Sequence, residues 1–276
     1  VIIFVNSAQK VNEESLSEAE RRIYLLKQKS PLDYVYHSAN DLRFELQFRT
    51  RMIENSRELA RSGAGFASFR RSRCNPDYWD RTRAGGFQVR GDRAVSDAIR
   101  DIFRHGDRYA FECATAIAIV MYKSVLDCIA ESSFNELFRG LLLYDWHLDS
   151  DLRLITVNDA SEAYPGDVQY FKNPDVSFLT PWWQGENVVK LGENLYYGHG
   201  VGILPSEGII AKLNSHRKIG AKRSAYMLNQ TSYPDFAYLA YFATRGKGGA
   251  YRIEPPFRNR ALIARIGHMA TISLRK

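Results

Sequence analysis

The chain has 276 residues, 45% of them hydrophobic, and 38 Lys and Arg against 31 Asp and Glu give a net charge of +7. That is enough apolar material for one large domain or two small ones, but no apolar run could span a bilayer, because only ten uncharged residues separate Glu112 from Lys123. Three cysteines without framework spacing argue against a disulfide scaffold, and no Cys or His pairs have zinc-like spacing, so no metal is expected.

The N-terminal Val1–Val5 run is too short for a signal peptide and lacks a basic lead-in, so synthesis in the cytosol is expected. Residues 6–30 are polar and helix-permissive, with an amphipathic helix expected over Glu18–Lys27 and a break at Pro31. Ser38 stands where a helix cap belongs. Leu42, Leu46, Met52 (or Ile53) and Leu59 then form an apolar stripe, with Arg43, Arg49, Arg51 and Arg57 off it. That pattern predicts a long helix ending near Ser62-Gly63. Arg70 to Gly91 is rich in Arg, Gly and Pro and predicts an irregular stretch with a weak hairpin around Gly85-Gly86. Ser96 is placed to cap a helix through Phe103.

From Cys113 to Ala130 the residues are helix-compatible and apolar, with only Lys123 and Asp127 charged. A helix apolar on nearly every side is a central, buried one. Cys113 stands in its first turn, where the positive end of the helix dipole favours thiolate. Cys128 is about 22 Å away along the same helix, out of disulfide reach, and reads as a small core residue. Cys74 reads as a loop thiol.

Ser133 and Glu136 have capping-box spacing for a short helix closed by Gly140. Leu141–Tyr144 reads as a buried strand, 149–166 as acidic and turn-rich, and Val168–Phe171 as a second strand. Asn187–Leu191 and Asn194–His199 form a hairpin. With Gly192-Glu193 as its two-residue loop, Glu186 falls opposite His199; a three-residue loop would remove that pairing. Ser206 can cap a helix to Leu213, and Ala225–Leu228 is the expected last strand of the core. Helices first, then a central helix, then mostly strands is an α+β pattern. The expected boundary falls near Thr231–Pro234. It leaves a body of 1–230, with 1–32 as a helical extension, and a C-terminal segment 231–276 that holds +6 of the net charge. That segment reads as a basic extension or as an electrostatic dock.

Phe111-Glu112-Cys113-Ala114-Thr115-Ala116, Leu143-Tyr144-Asp145-Trp146-His147, Tyr170-Phe171-Lys172-Asn173-Pro174, Gly185-Glu186-Asn187-Val188 and Gly198-His199-Gly200-Val201-Gly202-Ile203 occur in that order. Together they resemble the small calcium-independent protein-glutamine γ-glutamyltransferases of endospore-forming bacteria, from about Asp33 to Gln230. The resemblance implies a papain-like core of the NlpC kind, with a Cys-bearing helix packed on an antiparallel sheet. It also implies ε-(γ-glutamyl)lysine cross-linking of spore coat proteins, with synthesis in the mother cell before incorporation into the coat. The expected partners are proteins bearing glutamine and lysine; no cofactor, nucleic acid or membrane is expected, and the chain should be a monomer.

On that resemblance Cys113 is the nucleophile, and the carboxylate of Glu186 takes the thiol proton and later deprotonates the incoming amine. Glu112 shares the role, less directly, because helix neighbours project about 100° apart. His199 could orient Glu186 or balance its charge, or simply be held in the sheet. A carboxylate beside the thiol opposes the helix dipole, and the pair should titrate as a unit. Water would hydrolyse a thioester, so the site must exclude it. Phe66, Phe69, Tyr78, Trp79, Trp146, Tyr170, Trp182 and Trp183 cluster near the proposed site; Phe69, Trp146, Tyr170, Trp182 and Trp183 are the candidates for walling a narrow substrate passage. The competing readings are a cysteine amidase or peptidase with water as acceptor, and a non-enzymatic basic protein. Arg245-Gly246-Lys247-Gly248-Gly249 lacks the spacing and the Ser or Thr of a phosphate-binding loop.

Overall fold

Two capping boxes start the helical half of the chain. Strand β1 (Ile2–Phe4) leads to α1 (Glu18–Lys29), where Ser17 and Glu20 exchange hydrogen bonds. Strand β2 (Tyr34–Tyr36) returns parallel to β1, and Ser38 with Asp41 caps the long α2 (Ala39–Arg61). The structure, a computed structural model, describes residues 1–5 and 11–243, and the backbone of 262–266 and 269–273.

Strand β3 (Gly65–Phe66) follows, then the hairpin of β4 (Trp79–Arg81) and β5 (Phe87–Val89), α3 (Val95–Arg104) and β6 (Ala110–Phe111). The central helix α4 runs Cys113–Cys128, followed by α5 (Glu131–Leu137) and β7 (Leu142–Leu143), which joins the hairpin as its third strand. Then come β8 (Leu154–Val157), β9 (Val168–Lys172), β10 (Gly185–Gly192), β11 (Leu195–Gly198), β12 (Gly202–Leu204), α6 (Ser206–Asn214), β13 (Tyr226–Met227), β14 (Thr231–Pro234) and α7 (Phe236–Ala243). Beyond these, β15 (Leu262–Ile266) and β16 (Met269–Ser273) pair antiparallel.

The main sheet has the order β12-β11-β10-β9-β14-β8, with β13 also on β9, and every pairing is antiparallel. Helix α4 packs against β10 of this sheet and against α2, which itself reaches β10 and β11. Ile117, Ile119, Val120, Met121, Tyr122 and Val125 are wholly buried, each aliphatic worth about 1.5–3 kcal/mol over exposure. The expected α+β arrangement, with a Cys-bearing helix on an antiparallel sheet, is therefore observed. Among the described residues no helix is long and apolar enough to cross a membrane.

Several local expectations are corrected. Ser96, Ser133 and Ser206 stand one to three positions inside their helices, behind the extended residues Ala94, Ala130 and Pro205. Ser96 instead donates to Glu131 and accepts from Asn135, tying α3 to α5. The acidic stretch 149–166 contains β8. The expected boundary after Gln230 is crossed by the sheet: β14 pairs with β8 along its length and with β9 at Ser232, and Leu239 and Phe242 of α7 are core residues. Residues 244–261, and most of the basic charge expected there, lie outside the described residues.

Arg49, read as lying off the apolar stripe, is buried. It bonds Glu45 at 2.8 Å and Asp167, while Lys27, also buried, bonds Glu45 at 2.8 Å and stands 3.9 Å from the Tyr34 ring. Two cations and two anions neutralise each other there. The network ties α1 and β2 to α2 and to the turn before β9, and Val11, Leu16, Ile23 and Tyr24 bury their side chains in one cluster with Leu42 and Leu46 of α2.

Candidate active site

Cys113 is the first residue of α4. Glu112 before it is extended (φ −77°, ψ 165°), and β6 is pinned against β3 through Gly65↔Ala110 and Phe66↔Phe111. This lead-in aims the thiol at β10. Only 6% of Cys113 is exposed.

Strand β10 brings two consecutive side chains to the site. Strand alternation sends neighbours to opposite faces. Asn187 shares its face with Val189 and Leu191, which pack in the core around α4. Glu186 shares its face with Val188 and points at Gly198, the last residue of β11, and at Gly200 just beyond it. The thiol's hydrogen bond is with Asn187, whose Nδ2 stands 3.8 Å from Sγ, and whose backbone N–H also turns to the sulfur.

The hairpin register differs from the expected one. Val188 pairs with Gly198, Val189 with Tyr197 and Lys190 with Tyr196, and a bulge then brings Gly192 opposite Leu195. The two-residue loop is Glu193-Asn194, one position later than expected. Glu186 consequently meets Gly200, not His199: the Gly200 N–H donates to Oε1 at 3.2 Å, and the backbone N–H of His199 also reaches the carboxylate. The glycines make room for this. A Cβ on Gly198 would lie 2.8 Å from Cγ and Oε1 of Glu186, and one on Gly200 3.3 Å from Oε2 and from the Phe66 ring.

The side chain of His199 is engaged elsewhere. Nε2 lies 3.0 Å from the Gly65 carbonyl oxygen, which makes it the donor, and Nδ1 then accepts from the Tyr197 hydroxyl at 3.1 Å. Its ring stacks on Phe111 at 4.6 Å. Burial pushes its pKa down to about 4, so the ring is neutral and does not balance the Glu186 charge. It fixes the approach of β3 to β11 instead.

Burial decides the competition between helix dipole and carboxylate. Glu186, 1% exposed, has its pKa pushed up to about 8 by desolvation, with the Gly200 amide opposing and the Glu112 charge adding. Desolvation first, and the Glu186 charge second, hold the Cys113 pKa far above the usual thiol range. The resting pair is a thiol beside a largely protonated acid. Glu112 is half-buried and its pKa is pushed up to about 7 by desolvation and Asp145, against a hydrogen bond from the Phe69 backbone. Its charge acts on the thiol less than that of Glu186.

A cleft of about 150 Å³ lies on the Asn187 side, lined among others by Asn187, Tyr170, Trp146, Thr156, Gln230 and Ser232. That is room for a single extended side chain, or about five waters. Tyr170 and Trp146 thus stand at the cleft. The Tyr170 hydroxyl lies over Gly185, where a Cβ would come within 2.0 Å of it. The other three candidate passage residues are placed differently. Phe69 packs on Tyr144 at 4.7 Å near Glu112. Trp183 is buried between His216 and Phe66, stacked at 4.2 and 5.9 Å. Trp182 is 38% exposed. Phe66 links Trp183 to the Glu186 side of the site, whereas Trp79 is buried in the core of the small sheet. Asn187 does not stand out in the sequence; the signal for it is its place next to Glu186 in a strand that must show alternate residues to the helix. Among the described residues no group of His, Cys, Asp or Glu is arranged to hold a metal ion.

Comparison with known proteins places this geometry in context. Residues 2–243 match the model of a family described as protein-glutamine gamma-glutamyltransferase. A protein of that name from Bacillus pumilus is 44% identical over 242 residues, 86% of this chain and 98% of the relative. One from Bacillus cereus is 42% identical over 239 residues, 87% of this chain and 86% of the relative. The solved structure of a transglutaminase from Geobacillus stearothermophilus, without its C-terminal extension, superposes with a TM-score of 0.72 at 53% identity, covering 75% of this chain and 98% of that one.

Proposed function

The chain belongs to the protein-glutamine gamma-glutamyltransferase family, and on that premise we propose that Cys113 and Glu186 form its reacting pair, with Glu112 as a second, weaker base. The Glu186 carboxylate takes the Cys113 proton as the sulfur attacks the side-chain carboxamide of a protein glutamine. Collapse of the tetrahedral adduct expels ammonia, which leaves with the proton held by Glu186, and a thioester remains. A lysine amine then attacks the thioester and passes its proton to Glu186. The sulfur departs and is reprotonated, leaving an isopeptide bond and the starting enzyme.

The observation that carries this reading is the buried carboxylate cradled by Gly198 and Gly200 within electrostatic reach of the thiol. A carboxyl with its pKa near 8 is a far better match to thiol and amine protons than one near 4.5. Trp146 and Tyr170 at the cleft serve, on this reading, to guide one side chain while keeping water out. His199 acts as a positioning residue through Gly65 and Tyr197. The sequence resemblance extends the proposal: spore coat proteins as substrates, the mother cell and then the coat as location, activity without calcium, and a monomeric enzyme.

The test is incorporation of a fluorescent amine into a glutamine-bearing protein by wild type, Cys113→Ala, Glu186→Ala and Glu112→Ala. Cys113→Ala should be inactive, Glu186→Ala strongly impaired and Glu112→Ala mildly so. Ammonia release without amine incorporation would instead identify a hydrolase. Full activity in Glu186→Ala would transfer the base role to Glu112.

A further inference from the structure

We propose that the space between Cys113 and Asn187 is an oxyanion site, and that the side-chain amide of Asn187 is its donor. The inference rests on Cys113 being the nucleophile and deepens that reading. Two neighbouring residues of β10 divide the work: Glu186, on one face of the strand, handles protons, and Asn187, on the other, handles the negative charge that develops on the substrate oxygen.

The geometry supports this in three ways. Asn187 Nδ2 donates to Sγ at 3.8 Å in the resting enzyme, and the Asn187 backbone N–H converges on the same atom. The same side chain lines the cleft of about 150 Å³, so Asn187 stands between the sulfur and a space wide enough for one extended side chain. When sulfur bonds to the carboxamide carbon, the oxygen one bond further on comes to about 3 Å from a donor so placed. Finally, the donor is held before substrate arrives. Asn187 pairs with Tyr170 across the ladder and is flanked by the buried Glu186 and Val188, so little reorganisation is needed at the moment of reaction.

The electron and proton balance is complete without any further reactant. As the Cys113 sulfur forms its bond to carbon, its proton passes to Glu186 and the carbonyl π pair moves onto oxygen, where the Asn187 N–H groups hold it. The pair returns to re-form the carbonyl as ammonia leaves. The same donors serve again when the lysine nitrogen adds to the thioester and the sulfur leaves.

The experiment compares Asn187→Ala and the near-isosteric Asn187→Leu with wild type, using the fluorescent amine and a glutamine-bearing protein. Cys113 alkylation by iodoacetamide is followed in parallel, because alkylation needs a reactive sulfur but creates no oxyanion. The expected result is a kcat lowered about 10²–10³-fold. The alkylation rate should fall far less than kcat, because the Asn187 backbone N–H still reaches the sulfur, and the pH–rate midpoint set by Glu186 should stay near 8. Retained kcat in either folded variant overturns the inference, and so does an alkylation rate that falls in step with kcat, which would make Asn187 a support for the thiol alone. If one variant fails to fold, the other decides. Activity in Cys113→Ala would sink the underlying reading itself, whereas an inactive Cys113→Ala with fully active Asn187 variants would sink only this one.

Discussion

Glu186→Gln removes the charge of the proposed base while keeping its size between Gly198 and Gly200, and its consequences follow from one quantity. The carboxyl pKa moves from 4.5 to about 8 on folding. Below pH 4.5 both folded and unfolded chains carry it protonated, and the stability it lends is fully present. As pH rises the unfolded chain ionises first, so that stability is lost progressively until pH passes 8. The full shift corresponds to about 5 kcal/mol, and relaxation and water entry should leave about half of that. Urea denaturation at pH 5 and pH 9, in a Cys113→Ala background that silences the thiol, should show Glu186→Gln gaining about 2–3 kcal/mol over its parent between the two pH values. Parallel stability curves would mean the carboxyl is not desolvated as the structure has it. Activity gives a second reading. With Cys113 present, amine incorporation should fall by two orders of magnitude or more. The residual rate should rise with a midpoint near 7, the value of Glu112, in place of one near 8.

Phe66→Ala should admit water beside Glu186, because the Phe66 ring stands where it closes on Gly200; the ratio of ammonia released to amine incorporated should rise, and the acid limb should move below 8. Gly198→Ala forces a methyl to within 2.8 Å of the Glu186 side chain, and should cost about 1–3 kcal/mol in thermal or urea unfolding with a larger loss of kcat. Arg49→Ala leaves Asp167 buried without its partner, and should cost about 3–5 kcal/mol by urea titration without moving the pH–rate midpoints. A chain ending at Gln230 lacks β14 between β9 and β8, and should be insoluble or molten by near-UV circular dichroism.

What the sequence makes legible depends on whether the signal is local. Helix α4 is readable because thirteen of its sixteen residues are buried, and a segment of that length that is apolar on every side must sit inside the protein. The hairpin is readable as a hairpin, but its register is not. A bulge between Lys190 and Gly192 places Gly192 inside the strand, and a glycine in that position is indistinguishable in sequence from one in the turn. Arg49 looks like a surface residue because its partner Asp167 is 118 residues away. Pro234 looks like a stop, yet as the last residue of β14 it removes little from the ladder while Ser232 still bridges to β9. Glu186 is identified through the motif around it; the glycines that cradle it only acquire meaning once Gly198 and Gly200 are seen against its carboxylate.

Burial of the reacting pair links the two demands on a transferase. An ordinary exposed carboxylate is a poor acceptor for a lysine ammonium proton: the transfer is uphill by about six pKa units. At a pKa of about 8 the gap narrows to about two units, and about a tenth of the carboxyl groups are still ionised at pH 7. The desolvation that raises the pKa is the same dry environment that protects a thioester from water. A site opened to solvent would therefore lose both properties together, becoming a weaker base and a more frequent hydrolase. A site closed further would lose the ionised fraction it needs. The two backbone amides from His199 and Gly200 act against that second failure, since each stabilises the carboxylate form inside a pocket that otherwise disfavours it. The glycines on either side of His199 thus do more than leave space: they let the chain bend close enough for its own N–H groups to set how basic Glu186 becomes.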